Sequence, residues 1–248
     1  MAMSINTNAG AMIALQSLSA TNRNLETTQM SVTTGLRVAG PKDDAATFAI
    51  AQNMRGDIAG MGAVKTNLAL GQSIVNVAID AGKAVADLLI VMKAKAVQAS
   101  QEGLDTDSYT ALHQEFTSLR NQIESIVATA EFNGKNLIDS GAQDLKVLST
   151  VDGSSITVTK QSIDTTTLGI MTIALTNATV AATALTAVSQ AIIEVSNALA
   201  SLGSGAKRID IQADFTGKLI DILKQGVGNL VDADLAQESA NLQAFQIK

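Results

Sequence analysis

The chain has 248 residues, a net charge of −6 and a pI near 4.7, and 46% of its residues are apolar. The charge excludes a protein that binds nucleic acid by neutralising phosphates, because that requires a basic face. The absence of cysteine excludes disulfides, thiolate catalysis and Cys-based zinc sites. With five Phe, one Tyr and no Trp, the apolar content suits helix seams better than a thick globular core.

Residues 4–36 are predicted to form a helix with a thin apolar stripe. Leu18, Leu25 and Val32 are spaced seven apart, with Leu15 and Leu36 as partners. Polar residues flank each of these positions, so the seam scarcely offsets the cost of ordering the backbone. We expect this end to order only when another chain covers it. The segment lacks the cationic stretch and solid apolar run of a Sec signal peptide.

The start of a long helix is marked by Pro41, followed by Asp43 and Asp44. Carboxylates at this place accept from free N–H groups and favour the helix dipole, so we expect both to cap the helix rather than to act as catalytic carboxylates. Steps of seven from Met54 visit apolar or small residues almost without a break as far as Ala96. This pattern predicts one helix from 44 to 100.

A second, shorter helix carries an apolar stripe from Tyr109 to Ala130, with Thr106 or Asp107 as its expected cap. Asn133-Gly134 offers the left-handed residue that ends helices. The single histidine, His113, lies beside the stripe. An acid–base or metal role would need convergent partners, so we interpret it as a solvated helix residue.

After the second helix, the spacing of the apolar residues changes to every second position. Leu145 and Val147, and then Ile156 and Val158, alternate around Asp152-Gly153, which predicts a β-hairpin. A further apolar stripe runs from 185 to 230 and keeps its phase through the glycines at 203 and 205, which predicts one helix. An uncharged stretch between 164 and 194 is long enough to span a membrane, but polar residues interrupt it throughout, and we expect no insertion.

The last residues repeat the character of the first. Leu235, Leu242 and Phe245 share one side of a predicted helix, again among polar neighbours. Acidic residues between 232 and 238 suit a capped helix start better than a calcium site, because no Gly-bearing ligand loop accompanies them. The sequence therefore combines a firm helical middle with two thin apolar stripes at its ends.

Several separated segments resemble the bacterial flagellins. They are SINTNAGAM (4–12), TGLRV (34–38), KDDAA and AIA (42–51), EFNGK (131–135) and GNLVDADLAQES (228–239). The resemblance implies an all-α fold, a long antiparallel helical hairpin or bundle with coiled-coil seams and a small central β-hairpin. It also implies a structural subunit that polymerises into the flagellar filament. The shortness of the central region resembles small flagellins of the α-proteobacterial type.

The resemblance also implies a division of the chain. Residues 1–40 would be the N-terminal inner-tube helix and spoke, and 41–136 the first part of the core helical domain. Residues 137–177 would be a short variable region, 178–230 the second part of the core, and 231–248 the start of the C-terminal inner-tube helix. Flagellins usually continue past the position of Lys248, so most of that last helix is expected to be missing from this chain, which puts its efficient polymerisation in doubt.

The expected partners are other flagellin subunits, an export chaperone and export apparatus, and cap and junction proteins. Nucleic acid, membrane insertion, cofactors, metals and catalysis are not expected, because the chain has no phosphate loop, dinucleotide fingerprint or nucleophile elbow. The expected location is the extracellular flagellum. The residues expected to make self-assembly contacts are Ile5, Met12, Leu15, Leu18, Leu25, Val32, Leu36, Leu235, Leu242 and Phe245.

The segment that resembles the innate-receptor-binding helix of flagellins includes Leu89, Val91, Lys93 and Lys95. Receptor-activating flagellins carry Arg where Val91 stands and Leu where Lys95 stands, so the resemblance implies weak or absent recognition. The Ser/Thr-rich run from 149 to 186 is interpreted as a polar hairpin and linker, with O-linked sugar as the alternative. Two rival functions are a hook–filament junction protein and a flagellin-like surface adhesin or polysaccharide-binding protein.

Overall fold

The computed structural model describes residues 8–247, and there the fold is all-α with small β-hairpins, which confirms the predicted class. The helices are α1 (Ala9–Thr34), α2 (Ala45–Ala99), α3 (Thr106–Thr129), α4 (Ala178–Val231) and α5 (Leu235–Ile247). The strands are β1 (Glu131–Phe132), β2 (Lys135–Asn136), β3 (Leu145–Leu148) and β4 (Ser155–Val158), paired antiparallel as β1–β2 and β3–β4.

The chain divides into two compact units. The terminal unit comprises the described residues up to Gly60 together with those from Lys218 onward, and the central unit comprises residues 61–217. Each has its own apolar cluster. That of the terminal unit is small and is built on Val38, Ala51, Val227 and Val231.

The core of the central unit is formed by the predicted helical stripes. Because residues three and four apart share a helix face, each stripe delivers an unbroken row of apolar side chains. Phe116 of α3 is fully buried, and so are aliphatic residues of α2 and α4. The buried rows include Val64, Leu68, Val75, Val85, Leu89 and Met92 of α2, and Ala184, Val188, Val195, Leu202 and Ile209 of α4.

Helix α4 runs through Gly203-Ser204-Gly205 without a break, as its phase predicts. Among residues 8–247 it is also the one helix whose length and composition would suffice to cross a membrane. The part of α4 that belongs to the central unit packs one apolar side into the core, which accounts for the apolar content of the helix. Burial of that whole seam outweighs the helix propensity lost at each glycine, which is about 1 kcal/mol.

The β3–β4 hairpin packs against α2 and α4 at two glycines. Its register pairs Leu145 with Val158 and Val147 with Ile156. A Cβ placed on Gly71 of α2 would lie 2.5 Å from Cγ2 of Val147, and one on Gly205 of α4 would lie 2.8 Å from Cγ1 of Val158. Both glycines are therefore contact points that allow the strands to approach the helix backbones closely.

Two turn predictions were wrong. The N-cap of α3 is Asp105, whose carboxylate accepts from the backbone N–H of Ser108 at 2.8 Å, rather than Thr106 or Asp107. Asn133-Gly134 does not end α3, which stops at Thr129. With φ values of 51° and 71°, these two residues form the turn between β1 and β2. A two-residue hairpin turn of the primed type requires positive φ at both positions.

The prediction for His113 was also wrong. Its side chain is half-buried, and Nδ1 accepts from the backbone N–H of Leu175 at 3.3 Å. Two turns along α3, the guanidinium of Arg120 donates to the carbonyl of Met171. Both side chains therefore fasten the segment before α4 onto α3, a contact between residues far apart in sequence.

Candidate assembly site at the chain ends

Helix α1 is defined at both ends by capping groups. The side chain of Asn8 accepts from the N–H of Ala11 at 3.2 Å, which satisfies one of the free donors of the first turn. At the other end Gly35 adopts φ 73°, and its N–H donates to the carbonyl of Ser31 at 2.9 Å. Only Thr28 and Ser31 of α1 are buried, so this helix contributes almost no apolar core.

The first half of α1 presents large apolar side chains to solvent. Met12 and Leu15 are each 66% exposed, Ile13 is 68% exposed and Leu18 is 56% exposed. Residues 12 and 15 lie three apart and so share a face, with 18 following at the same step. A cluster of this kind is typical of a surface that another molecule covers. Ile13 was not among the predicted assembly residues, because it lies outside the seven-residue spacing.

Helix α5 contacts α1 in the terminal unit and has no buried residue of its own. Among the predicted assembly residues, Leu25 and Val32 of α1 and Leu242 and Phe245 of α5 are half-buried, whereas Leu235 is 50% exposed. The predicted residues therefore fall into a partly covered set and an open set. Ile5 lies outside the described residues.

The two chain ends meet the rest of the terminal unit at one place, which we call the joint (residues 35–38 and 230–233). The backbone N–H groups of Arg37 and Val38 donate to the carbonyl of Val231 at 2.7 and 3.2 Å, and the N–H of Ala233 donates to the carbonyl of Gly35 at 2.9 Å. The guanidinium of Arg37 donates to the carbonyl of Leu230 at 2.6 Å. This satisfies carbonyls that the last turn of α4 leaves free.

The joint is backed by the apolar cluster of the terminal unit. Val38 is 2% exposed, and the predicted assembly residue Leu36 is half-buried against the same cluster. Residues 34–38 carried only a family resemblance in the sequence, and the role of Arg37 was not predicted. The sole local signal was Gly35, since a left-handed residue there fixes the direction in which the chain leaves α1.

Of the two carboxylates predicted to cap α2, Asp44 caps the helix and Asp43 does not. Asp44 accepts from the N–H groups of Ala46 and Thr47 at 3.0 and 3.1 Å and from the Thr47 hydroxyl at 2.5 Å. The hydrogen bond from the Thr47 side chain is the largest of the effects that hold the pKa of Asp44 below its ordinary value of 3.8. Asp43 instead accepts from the N–H groups of residues 39 and 40, and so closes the loop before α2 rather than the helix itself.

The four residues of the receptor-like segment differ in accessibility. Leu89 is fully buried in the central core, whereas Val91 is 44% exposed and Lys93 is exposed. Lys95 forms an ion pair with Glu115 of α3. A pair this exposed contributes little to stability, with a median of about 0–1 kcal/mol for such surface pairs.

Two family models match this chain. The bacterial flagellin N-terminal helical region matches residues 5–143, and the bacterial flagellin C-terminal helical region matches residues 185–248. The chain is 46% identical to flagellin FljK of Caulobacter vibrioides over 246 residues, which covers 99% of this chain and 90% of that protein. It is 33% identical to a flagellin of Brucella melitensis over 258 residues, covering 99% and 91%.

The fold is also found among solved structures. The crystal structure of Bacillus cereus flagellin superposes with a TM-score of 0.56 at 23% identity, covering 60% of this chain and 88% of that chain. A putative flagellar hook-associated protein from Vibrio parahaemolyticus gives a TM-score of 0.63 at 14% identity, covering 77% and 100%. At these identities the likeness concerns the architecture alone.

Proposed function

Because the chain belongs to the bacterial flagellins and is a structural subunit of the flagellar filament, we propose that the exposed apolar side chains of α1 and α5 are its contacts with other subunits. The observation that carries this proposal is the open face of α1, where Met12, Leu15 and Leu18 are each more than half exposed. Each such side chain gains roughly 1.5–3 kcal/mol on going from full exposure to full burial. Several of them on every subunit supply a driving force for polymerisation.

The second part of the proposal is that the ends fold when they assemble. Neither α1 nor α5 buries an apolar side chain, so little offsets the ordering cost of about 1–2 kcal/mol per residue. In a dilute monomer both helices would exchange with unfolded chain. Neighbouring subunits would then stabilise them by covering their stripes, while the core of the central unit stays folded throughout.

The same proposal assigns roles along the chain. Residues 1–40 and 231–248 serve as the inner, polymer-forming part, residues 41–136 and 178–230 as the helical core, and residues 137–177 as a short outer region. The supporting observation is that apolar burial is dense in 61–217 and sparse at the ends. The role of flagellins also leads us to propose an extracellular location. The proposed partners are an export chaperone, the export apparatus, and cap and junction proteins.

The nearest rival function is that of a junction protein, since this chain shares its fold with the putative flagellar hook-associated protein from Vibrio parahaemolyticus. The sequence relatives favour the filament subunit, because identities of 33–46% extend over nearly the whole chain and all belong to proteins named flagellin. The flagellins are structural proteins, and no group of three His, Asp or Glu side chains among residues 8–247 is placed to bind a metal ion.

The test is seeded elongation of filaments by purified subunits, followed by sedimentation. The variant Leu15→Ser/Leu18→Ser removes two open side chains of α1, and Val151→Ser removes a comparably exposed side chain, 46%, of the β3–β4 hairpin as a matched control. We expect the α1 variant to remain unpolymerised at concentrations where the control elongates. Thermal unfolding of the central core should be equal in both. Elongation by the α1 variant at the control's critical concentration would contradict the proposal.

A further inference from the structure

The short span before α4, here named the strap (residues 171–175), depends on side chains of α3 for its backbone hydrogen bonds. Ile170, just before it, and Leu175, at its end, are 0% and 1% exposed, whereas Met171 is 50% exposed. Within the part of the chain that the structure describes, residues 172–176 make no backbone–backbone hydrogen bond. The strap is therefore an irregular connection whose two ends are anchored by buried apolar side chains.

Two side chains of α3 hold the backbone of the strap. The guanidinium of Arg120 donates to the carbonyl of Met171, and Nδ1 of His113 accepts from the backbone N–H of Leu175 at 3.3 Å. Thr117 lies between His113 and Arg120 on the same helix face, because the three residues are spaced by four and three. Its hydroxyl is buried and has no hydrogen-bond partner among residues 8–247. A buried hydroxyl without a partner raises the free energy of the packed arrangement.

The two contacts of the strap respond differently to protons. A guanidinium stays charged and continues to donate at any pH at which the protein is folded. Nδ1 of an imidazole accepts a hydrogen bond only while the ring is neutral, since an imidazolium carries a donor at each nitrogen. Histidine is the side chain that ordinarily changes its charge between about pH 5 and 8. Once His113 is protonated, the N–H of Leu175 faces a second donor instead of an acceptor.

The charged groups around this contact are already engaged or lie further along α3. No titratable side chain occurs between Asp164 and Glu194, so neither the strap nor the first turns of α4 place a charge against the imidazole. The groups on the adjoining elements are Asp164, which accepts from the N–H groups of Thr166 and Thr167; Tyr109, which donates to the carbonyl of Gln101; Glu115, which pairs with Lys95 of α2; and Arg120 and Glu124, which follow His113 by two and three turns.

We propose that protonation of His113 releases the Leu175 end of the strap from α3, which gives the central unit a local opening controlled by pH. With the strap closed, Nδ1 is occupied by the N–H of Leu175, whereas with the strap open it is free to bind a proton. The open form therefore binds more protons, and a falling pH favours it. The contact of Arg120 with Met171 and the buried side chain of Ile170 confine the opening to the strap. This device needs no second subunit and goes beyond the contacts proposed for assembly.

The first test measures amide hydrogen exchange of the full-length monomeric chain at about pH 7.5 and about pH 5.5, on either side of the ordinary histidine titration. Rates are expressed as protection relative to unfolded chain at the same pH. Protection of the Leu175 amide should fall roughly fivefold or more at the lower pH, because its hydrogen bond is lost. The amide of Val188, in the buried row of α4, should keep its protection. Unchanged protection at Leu175, or an equal fall at Val188, would overturn the proposal.

Two variants separate the proton from the contact itself. His113→Asn places an amide oxygen near the position of Nδ1, and this oxygen accepts at any pH; the two residues have similar helix propensities. We expect protection at Leu175 to be the same at both pH values in this variant. His113→Ala has no acceptor and should show the low protection at both. A fall in His113→Asn as large as that in the natural chain would assign the opening to another group.

The third measurement uses the fact that the chain has a single histidine. Its imidazole proton resonances therefore report the protonation of His113 without overlap from another ring. The midpoint of their pH titration should coincide with the midpoint of the loss of protection at Leu175, since one proton controls both. Two separate midpoints would contradict the coupling even if protection were lost.

Discussion

The contact of the β3–β4 hairpin with α4 predicts opposite effects for two glycines that are two residues apart. A Cβ on Gly205 would lie 2.8 and 3.1 Å from the two Cγ atoms of Val158, which is itself 3% exposed. A Cβ on Gly203 would meet nothing within 4 Å. Gly205→Ala therefore forces a β-branched strand residue to move, whereas Gly203→Ala adds a methyl group to open space.

The magnitudes follow from two competing effects. Alanine improves helix propensity over glycine by about 1 kcal/mol at either position. Overpacking a filled contact costs typically about 1–3 kcal/mol. We therefore expect Gly203→Ala to raise the free energy of unfolding by about 1 kcal/mol and Gly205→Ala to lower it by about 0–2 kcal/mol. The two variants differ by the overpacking cost alone, so at about 2–4 °C per kcal/mol for a protein of this size their melting temperatures should differ by roughly 2–12 °C.

The assay is thermal and urea unfolding of both variants, with Val158→Ala and the double variant Gly205→Ala/Val158→Ala completing a cycle. Val158→Ala alone leaves a cavity and should destabilise the protein. In the double variant the new methyl group occupies part of that space, so the two effects should be less than additive by at least about 1 kcal/mol. Equal stabilisation by both glycine substitutions, or strict additivity in the cycle, would refute the close packing of the hairpin on α4.

Three further predictions concern single side chains. Hydrogen bonds from Thr47 lower the pKa of Asp44, so the contribution of this carboxylate to stability is complete above pH 3.8 and is lost as the pH falls through the lowered pKa. The melting temperature of Asp44→Asn should therefore depend less on pH below about 4 than that of the natural chain. Identical slopes of melting temperature against pH would contradict this. His113→Ala leaves the N–H of Leu175 without its acceptor and should destabilise the protein by about 1–3 kcal/mol. Hydrogen exchange should become faster only in the segment before α4, and an unchanged exchange rate at the Leu175 amide would disprove the contact. Arg37→Ala should accelerate amide exchange in residues 230–233 without changing the melting of the central unit, and protection equal to that of the natural chain would show that the guanidinium does not hold the joint.

The long helices were predictable because their stripes are long. From Val64 to Met92 the spacing specifies both the helix and the face that is buried, and α2 ends within one residue of the prediction. In α4 the same regularity correctly outweighed the local signal of Gly203 and Gly205. The central hairpin was found because Asp152-Gly153 lies between two alternating strands, and Gly153 indeed has a positive φ of 91°.

The errors occurred where one local pattern suits several structures. Asn133-Gly134 fits a helix end and a hairpin turn equally well, since both need positive φ, and only the pairing of Phe132 with Lys135 decides between them. The acceptor role of His113 depends on Leu175, 62 residues away, and no periodicity reports such a contact. The joint was missed for the same reason, because its hydrogen bonds link Arg37 to residues 193 positions away and neither segment's own pattern reports the other.

The joint has a consequence for the order in which the molecule is completed. Arg37 and Leu230 are separated by 193 positions, so the earlier segment waits for a much later one before these hydrogen bonds form. Loop closure over such a length gains nothing until α2 and α4 have brought its ends together. A chain interrupted shortly before Leu230 would keep the part of α4 that packs into the central core, yet it would leave α1 unattached and α5 absent. Incorporation into the filament would thereby discriminate against incomplete chains without any separate proofreading component.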